Sequence, residues 1–198
     1  MHPYSCFETI RIEEGVACHL PYHTARMSST RKMLFGCEEP IDLAPYLQDM
    51  PKKGLYRAKV IYDEKSISTY YYIYKAKKIA KIKCIEATVN YPHKYLDREK
   101  IDTLLALHPN YDELILTHNG LLTDATIANI ALRQEGIWYT PTTPLLPGTT
   151  RARLLDEGKI IPRAISVSEI AHYDGLALMN AMIGFYEIDM GLLPRSDI

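Results

Sequence analysis

The sequence lacks any apolar run near the roughly 18–20 residues that a membrane-spanning helix requires, and it lacks an excess of charge of either sign. With 23 basic against 24 acidic side chains its net charge is −1, so no overall field favours nucleic acid or an anionic membrane. Its four cysteines, Cys6, Cys18, Cys37 and Cys84, are widely spaced and form no CxxC pair. That spacing argues against a disulfide framework or a zinc site and for reduced, partly buried thiols. The seven histidines include no HExxH pattern, and no metal is expected. The opening MHPYSCFETI has neither the basic nor the apolar region of a signal peptide, so a cytoplasmic protein is expected. Repeats, low-complexity tracts and Gly/Ser linkers are missing as well.

What is present is an ordinary globular composition, 47% apolar and 24% charged over 198 residues, long enough for one large domain or two small packed ones. CFETIRIEEGVACHL alternates apolar and polar residues around EEG and reads as a β-hairpin. PYHTARMSSTRKMLFG, with a Pro start and a Gly stop, predicts a helix over about 21–35. A second short helix is expected over about 41–49. GLYRAKVIYDEKSISTYYYIYKAKKI holds two Val/Ile/Tyr-rich strands joined by DEKS. KIKCIEATV reads as a further strand of that antiparallel sheet.

The second half is patterned differently. DREKIDTLLALHP is an amphipathic helix with Ile101, Leu104, Leu105 and Leu107 as its stripe. DELILTHNGLLTD is a hairpin around Asn-Gly, and TIANIALRQEGIWYTP a second pair of strands around Glu-Gly. A helix follows PLLPGTT and closes on Gly158. SEIAHYDG predicts a short helix, and LALMNAMIGFYEI a final buried strand with a turn at Gly184. The expected fold class is α+β in two lobes, an N-terminal α+β lobe over 1–85 and a C-terminal mixed lobe over 86–198.

Four stretches could carry chemistry, and each has a plain structural reading beside it. In PLLPGTTRARLL, Gly148, Thr149 and Thr150 stand at a helix start, where unpaired N–H groups and the helix dipole suit an anion. A threonine cap after a proline turn explains the same pattern without a ligand. Asp124 in LLTDATIANI is either a turn residue or a buried anion awaiting a cation. Arg26, with Ser28, Ser29 and Thr30 nearby, offers a phosphate fork or simply a solvated helix face. Lys75, Lys77, Lys78, Lys81 and Lys83 form a run that suits a blunted sheet edge better than nucleic acid.

Order along the chain makes these signals specific. Arg26 on the first helix, Lys94 in YPHKYLDR, Asp124 in GLLTDATIANI, then TPTTPLLPGTTR and finally NAM form a series. It resembles the class IV aminotransferases, the fold-type IV enzymes of pyridoxal 5′-phosphate (PLP). The likeness runs from FETIRI to LMNAMI, and within the family HKYLDR, the Asp124 segment and LMNAMIG look most like the 4-amino-4-deoxychorismate lyase branch.

The resemblance implies a two-lobed, D-amino acid aminotransferase-like fold whose N-terminal lobe is an α/β sandwich. It implies a small-molecule substrate with an amine and a carboxylate, a homodimer, and no nucleic acid or membrane partner. Lys94 matches the Schiff-base lysine and general base. Asp124 matches the acid that pairs with the pyridinium nitrogen, where most members carry the longer Glu. Arg26 in His23-Thr24-Ala25-Arg26 matches the phosphate arginine. Gly148, Thr149 and Thr150 match the phosphate-binding turn, and Asn180 with Ala181 the second phosphate-side segment. Arg57 stands where members often carry a strand arginine. Family members usually have a further segment ahead of the FETIR strand on the substrate side, which leaves the substrate open. The activity implied is a PLP-dependent lyase; an aminotransferase on the same scaffold and a non-catalytic binder of small molecules are the alternatives.

Overall fold

The computed structural model describes residues 5–193. These residues divide into two compact units. The first runs to Ala76 and takes back His93–Asp97, and the second holds Lys77–Pro92 and everything from Arg98 onward. The expected division after residue 85 falls inside a strand of the second unit.

In the first unit, β1 (Cys6–Glu13) and β2 (Val16–Ala17) form the expected hairpin. Glu14 and Gly15 at its turn have φ of 48° and 78°, the left-handed pair that matches the twist of the flanking strands. The helix α1 (Leu20–Phe35) has a proline in its first turn and closes on Gly36 at φ 70°. The second helix expected over 41–49 is only a 3-10 turn, Ala44–Tyr46. Pro45 has no N–H to donate to Ile41, four residues back, as a helix begun at residue 41 would require. Strands β3 (Leu55–Tyr62) and β4 (Ile67–Ile73) complete an antiparallel sheet in the order β2-β1-β3-β4. Strand alternation gives one face to Ile10, Ile12, Ala58, Val60 and Tyr62, which pack with Met27, Leu43 and Leu47.

The second unit opens with β5 (Ile82–Glu86), and here the expectation is corrected. The strand does not extend the antiparallel sheet but runs parallel to β6 (Glu113–His118). Ile82 and Cys84 bury their side chains with Ile115, Leu122, Ile130, Leu132, Leu176 and Leu178. Parallel neighbours need a long crossover, and α2 (Glu99–Ala106) lies on that connection. Its apolar stripe is narrower than predicted, since Ile101 is buried but Leu107 is 69% exposed.

Strand β6 turns at Asn119-Gly120, φ 52° and 74°, into β7 (Leu121–Ala125). The next pair, β8 (Asn129–Gln134) and β9 (Ile137–Pro141), turns the same way at Glu135-Gly136. Helix α3 (Thr149–Asp156) is capped by Glu157, with Gly158 one position beyond at φ 65°. The sequence offered no signal for β10 (Ile161–Arg163), three residues including a proline beside β9. Ser166 and Glu169 form a capping box that starts the 3-10 turn Val167–His172. The predicted last strand is in fact a hairpin, a buried β11 (Gly175–Asn180) and a more exposed β12 (Gly184–Ile188).

Strand β8 is central, with β7, β9 and β11 as neighbours. It faces β7 at one residue pair, Asp124 and Asn129. All four cysteines are free thiols, and no described helix is long and apolar enough to cross a membrane.

The turn between β7 and β8 is held from beneath by Glu113. This buried residue accepts from Leu114 N at 3.0 Å, from Thr126 N at 2.8 Å and from the Thr126 hydroxyl, all on Oε1. Its Oε2 is buried without a partner, and burial pushes the carboxyl above its ordinary range despite the hydrogen bonds. Glu113→Gln keeps an acceptor of the same reach and removes the buried charge, so it should change unfolding stability by no more than about 1 kcal/mol. Glu113→Ala leaves the buried Thr126 hydroxyl without its acceptor, although Thr126 N keeps Leu114 O at 3.1 Å, and should cost about 2–4 kcal/mol in urea denaturation.

Candidate active site

Lys94 and Arg26 belong to the first unit, and both are set by neighbouring residues of β1. The segment His93–Asp97 runs beside the start of that strand. Phe7 N donates to Lys94 O at 2.9 Å, Leu96 N donates to Ser5 O at 2.7 Å, and Cys6 bridges to Tyr95. Two backbone bonds therefore fix the main chain from the carbonyl of the lysine to Leu96. Its Nζ lies 4.6 Å from the centre of the Phe7 ring, an aromatic face that favours a cation. Lys59 approaches the same ring at 5.0 Å. Arg57, two residues earlier, is exposed and stacks over Tyr72.

Glu8 points to the other face of the strand and is fully buried. Arg26 grips it with both ends of a guanidinium fork, Nε to Oε1 at 2.8 Å and Nη2 to Oε2 at 2.5 Å. His23, one turn earlier on α1, meets Oε2 through Nδ1 at 2.7 Å. Burial alone pushes the Glu8 carboxyl up, but the Arg26 charge and the bonds from His23 and Arg26 outweigh it and hold the group at about 2. The phosphate arginine of the resemblance is thus oriented by a carboxylate that the sequence reading did not single out. Its signal was one acid among the inward-facing apolar positions Cys6, Ile10 and Ile12.

The remaining expected residues lie in the second unit. Asp124 is buried near the end of β7. Its Oδ1 accepts from Asn129 Nδ2 at 2.7 Å and its Oδ2 from Leu146 N at 2.8 Å. Both are neutral donors. Arg151 of α3 is the charged group that acts on it through space, with its own hydrogen bonds going to Thr140 and Pro141 O. Burial pushes the Asp124 carboxyl up to about 7, against the pull of Asn129, the Leu146 backbone, Arg151 and, least of these, the Leu145 backbone.

Gly148 caps α3 with extended backbone at φ −76°, so its lack of a side chain is not a matter of backbone freedom. A Cβ there would lie 1.9 Å from Asn129 Oδ1. The glycine makes room for Asn129, a reason the sequence reading, which invoked close approach of an anion, had missed. Thr149 and Thr150 are buried in the first turn, which carries no acidic residue. Asn180 uses Oδ1 to accept from Met182 N and Ile183 N at 2.9 and 3.0 Å, and donates from Nδ2 to Ile127 O at 3.1 Å. Its side chain shapes the turn at Ala181 and ties that turn to the loop between Asp124 and Asn129. Arg98 Nη2 reaches the same loop at Thr126 O, 2.9 Å.

These residues suit PLP at both of its ends. A buried carboxylate with only neutral hydrogen-bond donors lacks the cation that a protonated pyridine nitrogen would bring. A helix start, where the first N–H groups have no intrahelical partner, with two hydroxyls and no acid in its first turn suits a phosphate dianion.

Comparison with known proteins agrees. The model of the amino-transferase class IV family matches residues 74–189, more than half of the chain. An uncharacterized protein of Haemophilus influenzae is 34% identical over 187 residues, spanning 91% of this chain and 99% of its own. A crystal structure from Haemophilus somnus, provisionally named a 4-amino-4-deoxychorismate lyase, superposes with a TM-score of 0.85 at 32% identity. It covers 93% of this chain and 99% of that one. A Schizosaccharomyces pombe protein, provisionally named an aminodeoxychorismate lyase, is 45% identical over 51 residues, 25% of this chain and 22% of the relative.

The two buried carboxylates give stability opposite pH dependences in the cofactor-free protein. The folded-state pKa of Asp124 is raised from 3.8 to about 7, so stability should decline as pH rises through that window, by up to about 4 kcal/mol. Asp124→Asn should remove that slope. The Glu8 value is lowered from 4.5 to about 2, so its contribution of about 3 kcal/mol should be present above pH 4.5 and fade toward pH 2. Glu8→Gln should therefore be weaker than the parent at neutral pH and converge with it in acid. Denaturant titrations at a series of pH values read both effects.

Proposed function

The chain belongs to the class IV aminotransferase family of PLP-dependent enzymes, and from that premise we propose that it is a lyase converting 4-amino-4-deoxychorismate to 4-aminobenzoate and pyruvate. The observation that carries the PLP part is Asp124, a buried carboxylate with two neutral donors, no cation in contact and a pKa pushed up to about 7. The lyase part is supported by full-length likeness to the Haemophilus somnus protein.

Bound PLP supplies an electron sink for the charge left when a proton departs from the substrate's nitrogen-bearing carbon. Asp124 would accept the hydrogen bond of the ring nitrogen and keep a proton there, which would deepen that sink. The Gly148–Thr150 helix start would hold the phosphate, a role that the resemblance gives to Arg26 as well. Arg26 arrives pre-oriented, because Glu8 fixes its fork. Lys94 is the residue that would hold the cofactor, and its Nζ would receive the proton from the substrate's nitrogen-bearing carbon. Cleavage of the carbon–oxygen bond would then make the substrate ring aromatic and release enolpyruvate, which takes up a proton to become pyruvate, so no amino acceptor is required. The same reading takes the protein to be a homodimer that works in the cytoplasm as a supplier of a folate precursor.

The PLP-loaded protein should release 4-aminobenzoate and pyruvate in equal amounts from 4-amino-4-deoxychorismate with no 2-oxo acid present. If amino acids alone convert the cofactor to its amine form and no pyruvate appears, the assignment passes to an aminotransferase. A protein that binds no PLP would instead be a non-catalytic member.

Borohydride treatment should fix the cofactor on Lys94. That adduct should vanish in Lys94→Ala and persist in Lys78→Ala. Loss of the base should lower turnover by at least about 10²–10⁴-fold.

A further inference from the structure

Asn129 carries none of the roles assigned above, yet it contacts every element that meets at Asp124. It is the residue of β8 directly opposite Asp124 on β7, so both side chains leave the sheet on the same face. Its amide spends both hydrogens, one on Asp124 Oδ1 at 2.7 Å and one on Leu146 O at 2.8 Å. Its Oδ1 occupies the space where a Cβ of Gly148 would stand, 1.9 Å away. Leu146 closes the circuit by donating its N–H to Asp124 Oδ2 at 2.8 Å.

We propose that Asn129 is a positioning residue that clamps the Asp124 carboxylate to the Leu146–Gly148 approach of α3, so that the acid for the ring nitrogen and the start of the phosphate-binding helix are set as one unit. The identity of the group that Asp124 meets rests on the family reading, whereas the clamp rests on the geometry alone. One donor on each oxygen stops the carboxylate rotating and leaves acceptor capacity on both atoms for an incoming N–H. The chemistry of the clamp is also selective. Leucine would match the size of asparagine but donate nothing, and aspartate would set a second carboxylate against the first.

A short acid makes such a clamp useful. Aspartate reaches one methylene less than glutamate, so its oxygens are placed by the backbone and by whatever holds them. Here β7, β8 and the approach to α3 all converge on the carboxylate. The clamp also acts on the proton. A donated hydrogen bond favours the ionised form, and Asn129 is the largest of the influences that oppose burial at Asp124. Arg151 of α3 is the charged group facing Asp124, and it stays in place in each variant below.

The test uses the cofactor-free protein and follows the Asp124 carboxyl carbon by ¹³C NMR against pH, with the signal assigned by its disappearance in Asp124→Asn. Asn129→Ala should move the midpoint upward by about one pH unit, a tenfold change in the proton equilibrium. Gly148→Ala carries no titratable group but should evict Asn129 and produce a displacement of the same sign. Asn129→Ser, which retains one donor, should fall between parent and Asn129→Ala. In parallel, the dissociation constant for PLP should rise about tenfold or more in Asn129→Ala and Gly148→Ala, while borohydride at saturating PLP still marks Lys94.

An unmoved Asp124 midpoint in either variant, with native circular dichroism, overturns the clamp. If Asn129→Ala does not fold, Gly148→Ala alone decides the question. Loss of the lyase reaction with the midpoint displacement intact would count against the proposed function and leave the clamp standing.

Discussion

The structure turns on a carboxylate that the fold buries without neutralising. Asp124 occupies the one residue pair that joins β7 to β8, and an ionised group removed from water there costs several kcal/mol unless it is paired. The protein answers with two neutral hydrogen bonds, which are worth less than a cation in contact. An aspartate left in that condition is a poor choice for stability and a good one for receiving a positively charged ring nitrogen. The elements that supply its partners, β8 and the approach to α3, also lead into the helix start that suits a phosphate. One constraint therefore accounts for why strand pairing, loop and helix meet where they do.

A second buried carboxylate shows what the alternative looks like. Glu8 is as deeply buried as Asp124, but Arg26 and His23 converge on it and its pKa moves the opposite way. Compensation of that quality makes Glu8 a fixture: it holds an arginine in place and offers nothing to chemistry. Glu113 is intermediate, with one oxygen crowded by donors and the other without any, and its work is to shape the Thr126 turn. The three acids differ little in exposure. What separates a structural acid from a reactive one is whether its counter-charge is built into the fold, and only Glu8 has one in contact.

Much of the fold was legible because its signals are local. Glu14-Gly15, Asn119-Gly120 and Glu135-Gly136 each mark a hairpin by residue type alone, and Gly36 marks the end of α1 by its left-handed backbone. The misreadings share a cause as well. Strand β5 was recognised as a strand, but its parallel partner lies across the α2 crossover and leaves no trace in the pattern of β5 itself. The 41–49 segment has apolar residues at helical spacing, yet the missing donor of Pro45 overrides them. Strand β10 is too short to show a period. The site divides in the same way. Lys94, Arg26, Asp124 and the GTT turn could be named from their order along the chain, and Asn129 stands in the same LLTDATIANI stretch as Asp124, but the work of Asn129 was not legible there and Glu8 drew no notice. What Glu8 and Asn129 do is set by a partner distant in sequence or by the space another residue leaves, and no motif records that.

Gly148 shows how far that distinction reaches. In PLLPGTT a glycine before two threonines at a helix start suggests a backbone kept bare so that an anion can come close. Its φ of −76° is open to any residue, and what fills the space beside it is the amide oxygen of Asn129. The glycine is therefore a requirement of the strand pair that carries the acid, transmitted nineteen positions along the chain. Asn129 takes up the room left by Gly148 and donates to Asp124, while Leu146 donates from the other side. The departure from the longer acid of most family members is then not an isolated substitution. A carboxylate one methylene shorter can do the same work only where neighbouring backbone and side chains bring it to a fixed place, and here the three segments that contain Asp124, Asn129 and Gly148 are packed to do so.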